Sequence, residues 1–486
     1  MRIVHVVSEL VGSQALNFGT TGGLGKVPAG LAAAQARRGD QPVIIIPHHK
    51  RFCPDIDGAP KWNVDTRLGP CVLTETRLPV VGVDVPVYLV GNDAYFDRPA
   101  LYRDKDGDYS DNNVRFAFFC FAALSALRAI GLQPDMVHTH DWQTALIPFL
   151  VKQPGNGFPG TATTHTIHNG LFKGEFPRDT LSRIGLSEKL LHPKALEFHG
   201  QVSYTQAAIY FADWLTTVST FYRNTLLTEA RGCGLHGAYQ HRKNNFTGIV
   251  NGLDPSEYNP MFNPYLLSSL RFDPSTVVKN KPLCKAQLQT ELELPVDPAV
   301  ASIGFIGRLS QEKGIHLILA AMGTLMDTTN IQFVALGTGD QHFENALLSL
   351  QTKYPDRVRA ILKYEEKIAY RLLYPGLDAI IAPSSTEPCG LVHLAAMGHG
   401  TIPCVHAIDG LGETVRDWVN SDANGIMFDK FTADALLQAI KRTLTLLSDP
   451  AEHHRVQLNG MERDSSWRYP AQRYSEIYEQ ALENLT

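Results

Sequence analysis

The sequence predicts an α/β protein made of two mostly parallel, doubly wound sheets, and three observations carry that expectation. At 486 residues the chain exceeds what one hydrophobic core usually supports, so two domains are expected. Short β-branched runs alternate with longer segments of helical period along both halves, the strand-helix-strand pattern of parallel sheets. Near the middle, a turn cluster, Asn251-Gly252-Leu253-Asp254-Pro255, leads into a stretch rich in Asn and Pro at 259–264. Periodicity resumes only after it.

In the first half the strand candidates are IVHVV (3–7), PVIIIP (42–47), VPVYLV (85–90), DMVHTH (135–140), TATTHTIH (161–168), WLTTVS (214–219) and TGIV (247–250). In the second they are ASIGFIG (301–307), IQFVALG (331–337), AIIAPS (379–384) and TIPCV (401–405). Helical patterns such as LAAAQARRG (31–39), RFAFFCFAALSALRAIG (115–131) and LVHLAAMGHG (391–400) lie between them. In open α/β sheets ligands bind beyond the carboxyl ends of the strands, so chemistry is expected on loops that follow strands, in a central cleft that the two domains face.

Composition narrows the function classes. The chain is 44% hydrophobic and 19% charged with a formal net charge of −5, and no run of like charge reads as a nucleic-acid arm. Seven cysteines (53, 71, 120, 233, 284, 389, 404) are scattered without a Cys-x-x-Cys pair, which fits reduced thiols in the cytoplasm. The opening MRIVHVVSEL reads as a buried strand, and neither a secretory signal nor a membrane span is expected.

Five loops carry candidate chemistry. In GFIGRLSQEKGI (304–315), Arg308 and Lys313 emerge just after a strand, and two such cations suit a departing diphosphate, although most surface cations are merely solvated. In APSSTEPCGLVHLAAMGHG (382–400), Glu387 precedes a helix starting near Cys389-Gly390-Leu391, whose free amides can take a phosphate or hydroxyl oxygen; helix capping by Glu387 is the plainer alternative, and Cys389 reads as a packing residue. HTHDWQTAL (138–146) puts His138 and His140 on one strand face without a second set of metal ligands, so no metal is expected, and Asp141 reads as a helix cap. THTIHNGLFKGEFP (164–177) sets His168 before a sharp turn, and LGTGD (336–340) offers Gly339 for close backbone approach.

With RLSQEKG, STEPCGL, HDWQTAL, TIHNG, VNGLD, LGTGD and the opening TGGL in this order and spacing, the chain resembles bacterial glycogen synthases and plant starch synthases from Met1 to about Trp467. FDRPALYRDKDGDYSDNNVRFAFFC (96–120) matches the same family. The resemblance implies the GT-B fold, two Rossmann-like domains with the site between them. Residues 1–251 would form the acceptor-side domain, 252–464 the nucleotide-sugar domain, and 465–486 a helix crossing back to the first. It also implies transfer of glucose from ADP-glucose or UDP-glucose to the non-reducing end of an α-1,4-glucan with retention of configuration, without a metal or cofactor. The partners are then the nucleotide sugar and a glucan, not nucleic acid or membrane, and the compartment the cytoplasm, or the plastid stroma for a processed plant-type chain.

By the same resemblance Arg308 and Lys313 hold the diphosphate, Glu387 contacts the transferred glucose, and the loop Cys389-Gly390-Leu391 binds hydroxyls or the distal phosphate. His168 touches the glucosyl unit, Asp141 and Asn251 line the sugar and acceptor site, and Tyr364 lies near the base. The opening loop departs from the family. Its Gly22-Gly23 turn is kept, but Thr20 stands where the family has a lysine, the segment between Glu9 and Thr21 is longer by about five residues, and Lys26 replaces an aspartate. Asp409 falls where the family has a Thr-Gly-Gly-Leu run, which would set a carboxylate near the donor phosphates. Two other readings follow from those departures: a non-catalytic glucan-binding or initiation relative, and a transferase with a small acceptor.

Overall fold

The computed structural model describes residues 1–12, 17–20, 22–80, 82–105, 107–363 and 365–485. The chain divides into two compact units, Met1–Gly252 with Trp467–Thr486, and Leu253–Ser466.

Among the described residues, the first unit is organised on a nine-stranded sheet. Seven neighbouring strands are parallel, in the order Phe246–Gly248, Trp214–Thr217, Ala162–Ile167, Met136–His140, Arg2–Val6, Gln41–Pro47 and Pro86–Gly91. The chain starts in the middle, moves outward to Pro86–Gly91, then returns beside its first strand and moves outward the other way. The order therefore reverses between Arg2–Val6 and Met136–His140. Helices cover both faces of these strands, so even the Thr- and His-rich Ala162–Ile167 and Met136–His140 are buried at every residue.

An antiparallel hairpin, Lys61–Thr66 and Gly69–Arg77, completes the sheet edge, with Val64 opposite Cys71 and Trp62 opposite Leu73. It is absent from the strands expected above. Its signal was the period-2 alternation of Trp62, Val64, Cys71 and Leu73, of which only the last three are buried.

The second unit has a six-stranded sheet, wholly parallel, ordered Val358–Ile361, Ile331–Leu336, Ala301–Ile306, Ala379–Ala382, Ile402–His406, Ile426–Phe428. Here too the winding starts in the middle and reverses, between Ala301–Ile306 and Ala379–Ala382. The short edge strands Val358–Ile361 and Ile426–Phe428 also went unread in the sequence.

After Ser466 the chain rejoins the first unit as the helix Arg468–Glu483, whose buried face, Ala471, Tyr474, Ile477, Tyr478 and Ala481, has the spacing of one helical stripe. That face packs on Ile3, Val27, Leu31, Ala34, Met136, Ala162 and Ile249. Trp467, at its start, seats on the helix Lys26–Arg37 at Gly30, where an added Cβ would lie 2.0 Å from the indole Nε1. Gly30→Ala is expected to destabilise the first unit by about 1–3 kcal/mol through this overpacking, seen as a lower thermal midpoint. A raised midpoint, which helix propensity alone would produce at roughly 1 kcal/mol in alanine's favour, would show that the indole yields easily.

Candidate active site

In the second unit the reversal of strand order places the loops after Ala301–Ile306 and Ala379–Ala382 side by side, where a doubly wound sheet opens its crevice. They are locked together by backbone. Ser385 N donates to Glu312 O at 2.8 Å, and Gly314, in the left-handed region at φ 73°, passes so close to Pro383 that a Cβ would sit 2.1 Å from its carbonyl oxygen. Only glycine tolerates both the dihedral and the approach. This brings together two side chains 74 residues apart: Lys313 Nζ donates to Glu387 Oε2 at 2.6 Å, with side chains 27% and 18% exposed. Ser384 Oγ donates to the same oxygen at 3.1 Å. Arg308 stands exposed at the strand end, and among the described residues it has no ion-pair partner. Glu387 is therefore not a helix cap; it is one pole of an ion pair.

Asp409 does not face outward as a repelling charge. It is buried, its Oδ2 accepts from Thr386 Oγ1 at 3.0 Å and from Glu387 N at 3.3 Å, and it holds a positive φ of 44° to do so. The anion thus fixes the backbone that carries Glu387. Gly410 N closes the same loop on Glu387 O at 3.0 Å. The helix beyond it runs Val392–Gly398 with Leu391 at its cap, Gly390 precedes it at φ 77°, and Cys389 is a buried thiol. Gly339 lies on the neighbouring loop, bridged in parallel to Leu309. Tyr364 lies outside the described residues.

The first unit repeats the arrangement at its own reversal. Asp141 follows Met136–His140 with φ 55° and does not cap the 3-10 turn Trp142–Thr144 after it, contrary to the expectation. Its Oδ1 accepts instead from His168 N at 2.7 Å. Burial, with help from the nearby Glu9 charge, pushes the Asp141 carboxyl up to about 7 against those backbone hydrogen bonds. His168 directly follows the next strand, Ala162–Ile167, with its Nε2 3.1 Å from His140 Nδ1. Glu9, buried just after the first strand, and Tyr102, whose hydroxyl meets Ser8 Oγ at 2.7 Å, belong to this cluster and went unread in the sequence; the signal was a charge directly after an apolar strand.

Thr20 Oγ1 donates to Gly22 O at 3.1 Å, and Lys26 N to Gly23 O at 3.3 Å, so the Gly22-Gly23 turn forms at the start of the helix Lys26–Arg37. Asn251 is buried, and its Oδ1 has no hydrogen-bond partner among the described residues. His5, His138 and His140 present ring nitrogens within 4.8 Å of one another. All six of these nitrogens already carry hydrogen bonds, to Gln35, Tyr478, Thr166, His168 and each other. A cation would have to displace them.

Two mostly parallel sheets, each wound from its middle and each carrying charged loops at its reversal, are two Rossmann-like units, the organisation of the GT-B class. Residues 2–241 match the family model "Starch synthase catalytic domain", and 293–463 match "Glycosyl transferases group 1". The chain is 37% identical to glycogen synthase 2 of Geobacter sulfurreducens over 99% of both chains, and 36% identical to a glycogen synthase of Anaeromyxobacter dehalogenans over 98% of each. It is similar to the catalytic domain of starch synthase IV from Arabidopsis thaliana, solved bound to ADP and acarbose, with a TM-score of 0.89, 28% identity and 99% of each chain covered. The chain belongs to the glycogen synthase and starch synthase family and is a glucosyltransferase. Among the described residues no helix is long and apolar enough to cross a membrane.

The buried histidines dictate how this protein responds to acid. Burial lowers His5 to about 4 and His49, His165, His168, His393 and His399 to about 3, and holds His138 and His140 well below the usual 6.5. Their folded pKa values are depressed, so the unfolded chain takes up protons first. The stability that these histidines contribute is undiminished above about pH 6.5 and falls below it, by up to about 1.4 kcal/mol per pH unit for each. Asp141, raised to about 7 from 3.8, acts in the opposite direction over that window but is a single group. Denaturant midpoints are expected to fall steeply as pH drops from about 6.5 toward 4; a flat profile would contradict the burial.

Proposed function

We propose that the chain transfers glucose from a nucleotide-glucose, ADP-glucose in preference to UDP-glucose, to the 4-hydroxyl at the non-reducing end of an α-1,4-glucan, with retention of anomeric configuration. The observation that carries this reading is the Lys313–Glu387 pair at 2.6 Å, with exposed Arg308 on the same loop as Lys313. Breaking the bond between glucose C1 and the diphosphate oxygen leaves negative charge on the diphosphate and positive charge on the sugar ring. Arg308 and Lys313 stabilise the first and the Glu387 carboxylate the second. The acceptor hydroxyl gives its oxygen to C1 and its proton to the departing phosphate oxygen. Two side-chain cations supply the leaving-group charge, so the reading calls for no metal or organic cofactor.

In the same reading the amides of Cys389, Gly390 and Leu391 take sugar hydroxyls or the distal phosphate, Gly339 lets the backbone approach the nucleotide, and Tyr364 lies near its base. His168, Asp141 and Asn251 of the first unit meet the glucosyl unit and the acceptor, next to the loop of Thr20, Gly22 and Gly23. The starch synthase IV structure, bound to ADP, supports the adenine donor. The seven free cysteines suit the cytoplasm.

The test is glucose incorporation into glycogen by the purified protein, with labelled ADP-glucose and UDP-glucose supplied separately. Incorporation from ADP-glucose is expected; Glu387→Ala should abolish it, and Arg308→Ala should lower kcat/KM by roughly tenfold to a hundredfold, the loss of one charge-assisted contact of about 1.5–3 kcal/mol. No incorporation from either donor by folded protein would refute the reading. Thr20 offers no charge, so Thr20→Lys is expected to raise kcat/KM within the same range of about tenfold to a hundredfold; an unchanged rate would show that a cation at this position is not used.

A further inference from the structure

The first unit contains a chain of hydrogen bonds, buried except at its last link, that joins its sheet to two helices and ends on His168. From Thr216 Oγ1, 3.5 Å from the His165 carbonyl, it runs through Thr166 Oγ1 (2.6 Å) to His138 Nε2 (2.6 Å), and from His138 Nδ1 to Tyr478 OH (2.7 Å). Gln35 Nε2 reaches that hydroxyl at 3.3 Å while Gln35 Oε1 meets His5 Nε2 at 2.8 Å. His5 Nδ1 then faces His140 Nε2 at 3.3 Å, and His140 Nδ1 faces His168 Nε2 at 3.1 Å. Gln35 comes from the helix Lys26–Arg37 and Tyr478 from Arg468–Glu483. His5, His138 and His140 come from the two strands at the reversal of the sheet.

Such a chain makes every one of its hydrogen bonds in one direction only. A neutral imidazole has one donor nitrogen and one acceptor nitrogen, a hydroxyl donates once, and an amide presents N–H at one end and oxygen at the other. Burial keeps these imidazoles neutral. A backbone carbonyl can only accept, so the His165 oxygen breaks the tie. If Thr216 donates to it, Thr166 donates to Thr216, His138 Nε2–H to Thr166, Tyr478 O–H to His138 Nδ1, and Gln35 N–H to Tyr478. Then His5 Nε2–H donates to Gln35, His140 Nε2–H to His5, and His168 Nε2–H to His140. All eight hydrogen bonds form in this direction, whereas the reverse forfeits the bond to the carbonyl.

We propose that Gln35, Tyr478, His138, His5 and His140 are positioning residues that hold His168 in its Nε2–H tautomer, so that Nδ1 presents a bare lone pair and accepts a hydrogen bond from a hydroxyl of the transferred sugar. The role in transfer rests on the reading that His168 meets the glucosyl unit; the tautomer does not. The helix that closes the chain thereby sets the hydrogen-bond character of a substrate-facing group several residues away. Specificity follows: the sugar must offer a donor at this position, so a donor sugar with fluorine in place of that hydroxyl is used as poorly as the deoxy sugar.

The decisive measurement is nitrogen NMR of the intact chain labelled with ¹⁵N-histidine, with His168 assigned by the signal lost in His168→Gln. Near neutral pH, His168 is expected to show a protonated Nε2 and an unprotonated Nδ1. Tyr478→Phe removes the hydroxyl between Gln35 and His138 and frees the Gln35 amide to turn. It should mix the two tautomers at His168 and lower kcat/KM about tenfold, equivalent to about 1.4 kcal/mol. Gln35→Leu serves as the second variant if Tyr478→Phe does not fold. A protonated Nδ1 in the unmutated chain, a tautomer unchanged in the variants, or stoichiometric zinc in the purified protein, which would claim the lone pairs of His5, His138 and His140, each overturns the proposal. The expected tautomer in a chain that transfers no glucose would leave the relay standing and refute only the proposed activity.

Discussion

A parallel sheet wound outward from its first strand has one place where neighbouring connections leave on opposite faces, and the functional arrangement of both units depends on that constraint. At this place the carboxyl ends of two adjacent strands are not covered by a crossing connection, so the loops that leave them stay open to a ligand. In the second unit these are the loops of Lys313 and Glu387, and in the first those that begin at Val7 and Asp141. No local feature of either loop would produce the juxtaposition. It follows from the order in which strands are laid down, and it explains how an ion pair can join residues 74 apart in sequence.

How much of this was legible in the sequence follows from burial. Parallel strands covered on both faces are runs of buried, mostly β-branched residues, and those runs, from IVHVV to TIPCV, led to the parallel strands of both sheets except two short edge strands. The hairpin Lys61–Arg77 escaped because one of its faces meets water, which dilutes its apolar signal to every second residue. Val358–Ile361 and Ile426–Phe428 escaped because an edge strand of three or four residues is too short for a period. The site was legible as loop composition and as resemblance, but not as geometry. Asp141 looks like a cap because Asp before a short helical pattern usually is one; the positive φ that turns its carboxylate toward His168 is imposed by tertiary structure. Gln35 and His5 gave no signal, since a glutamine in an Ala-rich helix and a histidine in a strand are ordinary residues until their partners are known.

The polar interior of the first unit has a cost. Taking neutral imidazoles, hydroxyls and an amide out of water is unfavourable unless each hydrogen bond is replaced. Here nearly all are replaced, and a leucine-like core of the same volume would be easier to build. A connected network nevertheless has a property that apolar packing lacks: it has direction. Each member constrains the proton on the next, and that constraint ends on a group at the edge of the site. The acid sensitivity of these histidines and their shared orientation thus have one cause, the exclusion of water from the face between the sheet and the helices Lys26–Arg37 and Arg468–Glu483.

In the second unit the same logic is carried by charge. Glu387 is held from three sides, by Lys313 and Ser384 at its carboxylate and by Asp409 at its backbone nitrogen, so its position does not wait on substrate. Groups fixed before reaction avoid reorganising during it, which is where electrostatic catalysis gains most. In the proposed reaction the pairing also limits what Lys313 gives to a bound diphosphate. While its charge is partly satisfied by Glu387, its pull on the intact donor is moderated. As the bond from glucose to the diphosphate lengthens in that reaction, negative charge grows on the diphosphate and positive charge on the sugar, so Lys313 and Glu387, in their proposed places, would each meet a stronger opposite charge than in the ground state. A pair that is neutral as a whole thereby favours the separated charges of the transition state over the intact substrate, and only that difference accelerates the chemical step.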